Sequence, residues 1–244
     1  MYQRGSVIFS GGYFSDPAYN RSDISDINDK KEVNEMWEKR SCEIRSWENV
    51  YKRSKELSDK VKEAEYEPDI VIGLARGGWV PARNLCDFLG IKDLISLKLE
   101  HWGVTATPDG EAKIKYPIDI DLTGKKVLVV DDCSDTGESI KETKKFLQKL
   151  NPKTVKTATM QIFDTTPKDG IPDFWVERVP WIWIIYPWNI TEDLINLTNE
   201  LIEGGEKNHS ENLQKSLKEK FDLTVDTETI EYIMEEAKRR GEMV

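Results

Sequence analysis

Two adjacent carboxylates, Asp131 and Asp132, follow four apolar residues at positions 127–130. The apolar run predicts a buried strand of a parallel sheet, which a polar loop and then a helix follow. In open α/β sheets, ligands bind at the carboxyl ends of the strands. Neighbouring carboxylates at such a strand end can accept hydrogen bonds from vicinal hydroxyl groups. The sequence therefore indicates a site for a diol.

The loop after these carboxylates has the composition of a phosphate site. It runs Asp135-Thr136-Gly137-Glu138-Ser139 and opens the predicted helix. Backbone N–H groups at a helix N-terminus bind phosphate readily, and a phosphate beside a diol describes a ribose 5-phosphate. The alternative is an ordinary strand–turn–helix capped by Asp and Ser, but capping alone does not need Asp-Asp and Asp-Thr-Gly together. The chain contains neither Gly-x-Gly-x-x-Gly nor Gly-x-x-x-x-Gly-Lys-Ser/Thr, which excludes the dinucleotide and P-loop motifs.

The stretch Val127–Ser139 closely resembles the phosphoribosyl-diphosphate (PRPP) signature of the type I phosphoribosyltransferases. That signature is an apolar strand, two acidic residues, two variable residues and Asp-Thr-Gly-x-Ser/Thr, and every characteristic position is filled. The resemblance implies that Asp131 and Asp132 hold the ribose hydroxyls and orient hydrated Mg²⁺. It implies that Asp135 accepts a proton at the purine N7. The residues expected to bind PRPP and its phosphates are Ala75, Arg76, Gly77, Gly78, Asp131, Asp132, Ser134, Asp135, Thr136, Gly137, Glu138 and Ser139.

A second segment, Ala75-Arg76-Gly77-Gly78, ends the first predicted strand. Its glycines let backbone N–H groups approach a ligand closely, and Arg76 supplies a fixed positive charge suited to phosphate oxygens. Taken alone, the segment is equally consistent with a simple turn. In the purine phosphoribosyltransferases that it resembles, the loop in this place holds the pyrophosphate of the donor.

The resemblance extends over residues 47–188, which look like the archaeal branch of the guanine-, xanthine- and hypoxanthine-type enzymes. It implies a small hood that binds the purine, with Trp183 stacking on the base and the backbone of Ile184 and Ile185 reading its edge. An aromatic residue of the core is the alternative for Trp183. Many 6-oxopurine enzymes have a lysine after the strand that leads into the hood. Here Asp164 or Thr165 occupies that place and Lys168 is the nearest cation, so adenine stays open as the base, because a carboxylate accepts from an amino group.

Residues 101–116 are polar and contain glycine, which predicts a long loop or an irregular hairpin. The segment resembles the mobile loop that closes over the site in the family. His101 is either a general acid or a structural histidine. Lys113 and Lys115 either meet the leaving pyrophosphate or are solvated surface residues.

The composition limits the partners. The net charge of −10 argues against general affinity for nucleic acid or anionic membranes. The sequence contains no apolar run of membrane-spanning length and no secretory pattern at its N-terminus. Its three cysteines are far apart and lack metal-site spacing, which suits a reducing cytoplasm. We therefore expect a cytoplasmic protein that binds neither nucleic acid nor membrane.

Alternation of strands and helices predicts an α/β fold, with a mainly parallel twisted sheet flanked by helices. The predicted parts are an N-terminal extension (1–43), a phosphoribosyltransferase core with a hood (44–190) and a helical C-terminal extension (191–244). The resemblance implies a homo-oligomeric salvage enzyme that converts PRPP and a purine, preferably a 6-oxopurine, into a nucleoside monophosphate and pyrophosphate. The alternatives are an adenine or non-purine phosphoribosyltransferase and a regulator that binds PRPP or nucleotides.

Overall fold

The computed structural model of the protein describes residues 41–102 and 111–243. These residues divide into two compact units. The sheet unit comprises residues 48–181, and the helical unit comprises residues 41–47 and 182–243. Within the described ranges, no helix has both the length and the apolar content needed to cross a bilayer. The predicted division into an extension, a core with a hood and a second extension, with boundaries at residues 43 and 190, stays a prediction.

The sheet unit is built on six strands in the order β4-β3-β2-β5-β6-β7. All neighbouring strands are parallel except β4, which runs antiparallel to β3. The central strands β2 and β5 consist largely of buried aliphatic residues because helices cover a parallel sheet on both faces. The predicted fold class is confirmed. The strands are β2 (Ile70–Ala75), β3 (Leu94–Trp102), β4 (Glu111–Tyr116), β5 (Lys126–Ser134), β6 (Thr154–Phe163) and β7 (Phe174–Val179).

Three helices belong to this sheet: α1 (Trp47–Glu63), α2 (Trp79–Leu89) and α3 (Glu138–Gln148). Helix α2 begins directly after Gly78, and Pro81 lies in its first turn, where its missing N–H leaves no hydrogen bond unmade. It ends at Gly90, which has a φ of 70° and donates its N–H to the Asp87 carbonyl. A glycine tolerates this left-handed conformation without strain, which is why the helix ends here.

Two parts of the sheet differ from the simplest expectation. Strand β5 continues to Ser134, so Asp131 and Asp132 lie within its last residues and not after its end. This happens because β6 extends equally far and pairs Cys133 with Gln161. Of the two forms considered for residues 101–116, the described part has the hairpin form, since β3 reaches Trp102 and β4 starts at Glu111.

The helical unit has a core of its own. Strand β1 (Cys42–Ile44) pairs in parallel with β8 (Trp183–Ile185), so part of the expected N-terminal extension, residues 1–43, belongs to a strand. Buried leucines, isoleucines and Phe221 join three helices: α4 (Ile190–Glu203), α5 (Ser210–Phe221) and α6 (Thr227–Arg240). Helix α4 ends at Glu203, directly before Gly204 and Gly205. A second break follows Phe221, because Asp222 adopts a φ of 55° and Asp226 caps α6 by accepting from the Thr229 N–H.

Candidate active site

The glycine turn after β2 lies against the carboxylates of β5. These strands are parallel neighbours, with Gly73 opposite Val130, so the segments that follow them meet at one edge of the sheet. A Cβ on Gly77 would collide with the Asp132 carboxylate, and one on Gly78 would collide with the Val130 carbonyl. Backbone atoms leave room only for glycine at position 78, whereas a side chain at position 77 would have to displace the carboxylate. The predicted PRPP-binding segment 75–78 and the acidic pair are therefore brought together; the Ala75–Arg76 peptide bond is cis, and Arg76 is exposed.

The two carboxylates of β5 are electrostatically coupled. Burial, and then the charge of Asp132, raise the pKa of Asp131 well above its ordinary value. Burial also raises the pKa of Asp132, against hydrogen bonding from the Cys133 N–H, whose nitrogen lies 2.8 Å from Asp132 Oδ1. A pair of buried neighbouring carboxylates attracts a cation or hydroxyl donors. Hydroxyl groups of a bound diol would provide such donors.

Burial and the neighbouring carboxylates raise the pKa of the Cys133 thiol well above its ordinary value. A thiol is a nucleophile only as the thiolate, so Cys133 stays protonated and inert at neutral pH. Its place between the acidic pair and Asp135 therefore gives it no chemical role.

The predicted phosphate loop, Ser134–Ser139, is fixed by a second segment, residues 163–170. Gly137 has a φ of 76° and packs directly on Gly170, where a Cβ would overlap the backbone. The Ser134 hydroxyl donates to the Gly170 carbonyl at 2.9 Å, and Thr166 Oγ1 donates to the Ser134 carbonyl at 2.8 Å. The loop thus presents the start of α3 in a defined conformation, as binding of an anion at a helix N-terminus requires.

Glu138 is an unusual residue for a phosphate site, and its side chain pairs with a lysine of the same helix. Its carboxylate lies 3.5 Å from the Lys141 ammonium group, and its side chain is 44% exposed. Lys141 also pairs with Asp169 at 2.7 Å, which ties the first turns of α3 to the 3-10 turn Lys168–Gly170. Thr136 is half-buried, and its Oγ1 lies 3.4 Å from the Glu138 nitrogen.

Asp135 has a partner that the sequence did not suggest. Trp181 Nε1 donates to Asp135 Oδ2 at 3.3 Å, across 46 residues of sequence. Burial raises the pKa of Asp135, while the indole N–H of Trp181 and the nearby hydroxyl of Thr165 oppose the increase. A carboxylate with a raised pKa at the rim of an acidic site is suited to proton transfer near neutral pH. Trp181 belongs to an aromatic run that supported the resemblance, but no spacing rule connects it with Asp135.

The residues expected to bind the base fall into two groups. Asp164 and Lys168 belong to the sheet unit and are both exposed; the Asp164 N–H donates to the Val179 carbonyl at 2.9 Å. Trp183, Ile184 and Ile185 form β8 in the helical unit, where Trp183 is half-buried against the core and both isoleucines are buried. Their roles toward a base stay predictions.

The segment expected to close over the site is only partly described. Residues 103–110 and the side chain of His101 lie outside the described residues, so the expected roles of this segment stay predictions. Lys113 and Lys115 lie on β4, and Lys113 is exposed.

The donor set fits magnesium held indirectly. In the described ranges, no three histidine, cysteine or acidic side chains converge on one point. Mg²⁺ commonly keeps several waters and takes few protein ligands when it binds a substrate phosphate. The carboxylates of Asp131 and Asp132 are oxygen donors suited to this mode of binding.

Comparison with known proteins shows which sequences and structures this chain resembles. Residues 41–189 match the family described as the phosphoribosyl transferase domain. The hypoxanthine-guanine phosphoribosyltransferase of Aquifex aeolicus is 32% identical over 114 residues, 45% of this chain and 64% of the relative. The chain thus spans slightly less than two thirds of that relative. The hypoxanthine-guanine phosphoribosyltransferase of Schizosaccharomyces pombe is 30% identical over 180 residues, 59% of this chain and 86% of the relative.

A solved structure agrees with these matches. The purine phosphoribosyltransferase of Pyrococcus horikoshii superposes with a TM-score of 0.53 at 33% identity, covering 60% of this chain and 93% of that chain. The family match covers more than half of the sequence and contains the acidic pair, the glycine turn and the phosphate loop. The chain therefore belongs to the phosphoribosyl transferase domain family and has the type I phosphoribosyltransferase fold.

Proposed function

We propose that this protein transfers the 5-phosphoribosyl group of PRPP to a purine base and releases pyrophosphate, a reaction of purine salvage. One observation carries the proposal: the Gly77–Gly78 turn lies against the Asp131–Asp132 pair, and the phosphate loop follows directly. A sugar that bears a diol, a diphosphate and a 5-phosphate needs these three kinds of group. The purine enzymes named among the relatives support the same reaction.

In this proposal each segment binds one part of PRPP. Asp131 and Asp132 accept hydrogen bonds from the 2- and 3-hydroxyls of the ribose. Residues 75–78 bind the pyrophosphate through backbone N–H groups and the Arg76 guanidinium. The hydroxyls and N–H groups of the loop bind the 5-phosphate. The loop residues are Ser134, Thr136, Gly137, Glu138 and Ser139. Glu138 contributes its backbone only, and so does Ser134, whose hydroxyl donates to the Gly170 carbonyl.

The reaction breaks the bond between the anomeric carbon and pyrophosphate and forms one between that carbon and a ring nitrogen. As pyrophosphate departs, positive charge develops on the ribose, and the nearby carboxylates stabilise it in the transition state. Asp135 accepts the proton that the base loses at N7. Asp131 and Asp132 would hold Mg²⁺ indirectly, and the ion would supply positive charge that favours departure of the pyrophosphate.

A 6-oxopurine is the preferred base in this proposal, as the names of the relatives suggest. Trp183 stacks on the purine, and the backbone of Ile184 and Ile185 reads its edge. Asp164 stands where many 6-oxopurine enzymes have a lysine, and Lys168 is a nearby exposed cation. Because a carboxylate accepts and an ammonium donates, Asp164 favours adenine and Lys168 favours an oxopurine. We further expect a homo-oligomer in the cytoplasm.

Pyrophosphate release with PRPP and Mg²⁺ tests the proposal, measured against adenine, guanine, hypoxanthine, xanthine, uracil and orotate. Turnover of guanine, hypoxanthine or xanthine is the expected result, whereas turnover of adenine alone would make Asp164 the specificity residue. Tight PRPP binding with no turnover of any base would contradict the proposal and favour a regulator. Asp135→Asn should lower kcat by roughly 10²–10⁴-fold and leave PRPP binding largely intact.

A further inference from the structure

Trp181 is placed beside Asp135 by the edge of the sheet. It follows Pro180, just beyond β7, whose last residue Val179 pairs with Phe163 of β6. The ladder continues one step further, since the Asp164 N–H donates to the Val179 carbonyl at 2.9 Å. The strand ends that carry Trp181 and Thr165 are therefore held in register. This register brings the indole N–H to Asp135 Oδ2.

Among the described residues, the groups that lower the pKa of Asp135 are neutral. Burial raises it, and the two opposing influences are the indole N–H of Trp181 and the hydroxyl of Thr165. Thr165 Oγ1 is buried and has no hydrogen-bond partner among the described residues, so its hydroxyl is available to Asp135. Hydrogen bonds to a carboxylate favour its ionised form and restrict its orientation. Removing either donor should therefore leave Asp135 harder to ionise.

The charged surroundings of Asp135 do not replace these donors. Cys133 is the titratable group whose thiol faces Asp135 from the same segment, and the thiol is neutral. Asp131 and Asp132 precede it in the strand and would repel its charge. Asp164 and Lys168, on the segment that holds the loop, are exposed to solvent, which screens them.

We propose that Trp181 is a positioning residue, which holds the Asp135 carboxylate in the orientation needed to accept the proton of the base. Thr165 assists it from the segment after β6. This inference rests on the role of Asp135 in the proposed function. The two neutral donors thus favour the ionised form of Asp135, as a nearby cation would. Unlike a cation, they do not attract the phosphates of PRPP to the position of the base.

The test is the pH dependence of kcat/KM for the base at saturating PRPP, in the full chain. Trp181→Phe keeps a flat apolar ring and removes the N–H. We expect the acidic limb of the profile to move up by about one pH unit and kcat/KM to fall roughly tenfold at pH 6, with a smaller loss at pH 8. The affinity for PRPP should be unchanged. Thr165→Val should move the limb in the same direction, and Trp181→Gln, which retains a donor, should restore part of the loss.

Trp175→Phe is the matched control, because Trp175 lies on β7 next to the Lys60 and Arg178 side chains and not at Asp135. It should leave the acidic limb in place. An unmoved limb in both Trp181→Phe and Thr165→Val would overturn the inference, even where turnover falls. Asp135→Asn separates the two proposals: if that variant remains fully active, the role of Asp135 itself is wrong. If it is inactive while the limb is unmoved in the Trp181 and Thr165 variants, only the positioning role fails.

Discussion

Gly77 has no space for a side chain, because the carboxylate of Asp132 occupies the position where its Cβ would lie. Gly78 is confined in the same way by the carbonyl of Val130. The turn after β2 and the acidic pair of β5 are therefore in direct contact. In a parallel sheet only the glycines allow this approach, which brings backbone N–H groups beside the carboxylates.

The first prediction concerns Gly77→Ala. The added methyl group must displace the Asp132 carboxylate or the turn, so we expect kcat/KM for PRPP to fall by at least about tenfold through misplacement of binding groups. Steady-state kinetics with PRPP as the varied substrate measures the effect. Gly124→Ala is the control, since that glycine has a φ of 75° with open space around it and lies outside the site. Kinetic losses of equal size in both variants would argue against a specific role for Gly77.

The second prediction concerns the contact of Gly170 with the phosphate loop. A Cβ on Gly170 would lie 2.7 Å from the Thr136 carbonyl oxygen and 3.1 Å from the Gly137 Cα. Gly170→Ala should therefore lower the free energy of unfolding by about 1–3 kcal/mol and weaken binding through the 5-phosphate. Thermal unfolding with and without PRPP measures both effects. Gly205→Ala, at a glycine with open space around it, should leave the stabilisation by PRPP unchanged, and an unchanged value in Gly170→Ala would contradict the prediction.

Local sequence signals predicted much of this architecture. The apolar runs of β2 and β5 and the acidic signature at Asp131 each carry their information within a few residues. The acidic pair and the glycine turn were expected in one site because both lie near the carboxyl ends of strands of one parallel sheet and because the family resemblance assigns both to PRPP. The structure places them there.

Contacts between distant segments could not be predicted in the same way. The Trp181–Asp135 hydrogen bond and the Gly137–Gly170 contact depend on how far β6 and β7 run before they turn. Strand β1 is three residues long, too short for a period of alternation, and forms only because β8 offers it a partner. Strand register and strand pairing are tertiary properties, so the residues of one short sequence segment do not determine them.

The third prediction concerns the stability cost of the acidic pair. The pKa of Asp131 is raised in the folded protein by burial and by the charge of Asp132. The folded state then binds protons more tightly than the unfolded state, so wild-type stability decreases as pH rises through the raised pKa. Asp131→Asn removes this cost. We expect it to raise the free energy of unfolding at pH 7 by about 0.5–2 kcal/mol while impairing PRPP binding.

Asp173→Asn is the control of opposite sign. Burial would raise the pKa of Asp173, but hydrogen bonds from Lys144 and Thr157 outweigh it and lower the pKa. Ionised Asp173 therefore contributes to stability above about pH 4, and this contribution is lost only as pH falls through the lowered pKa. Asp173→Asn should lower the free energy of unfolding by about 1–3 kcal/mol. Denaturant unfolding of both variants between pH 4 and pH 8 distinguishes them. The gain from Asp131→Asn should shrink toward pH 4, while the loss from Asp173→Asn should stay nearly constant. A gain at Asp131 that does not change with pH would mean that packing, and not buried charge, limits the stability of the site.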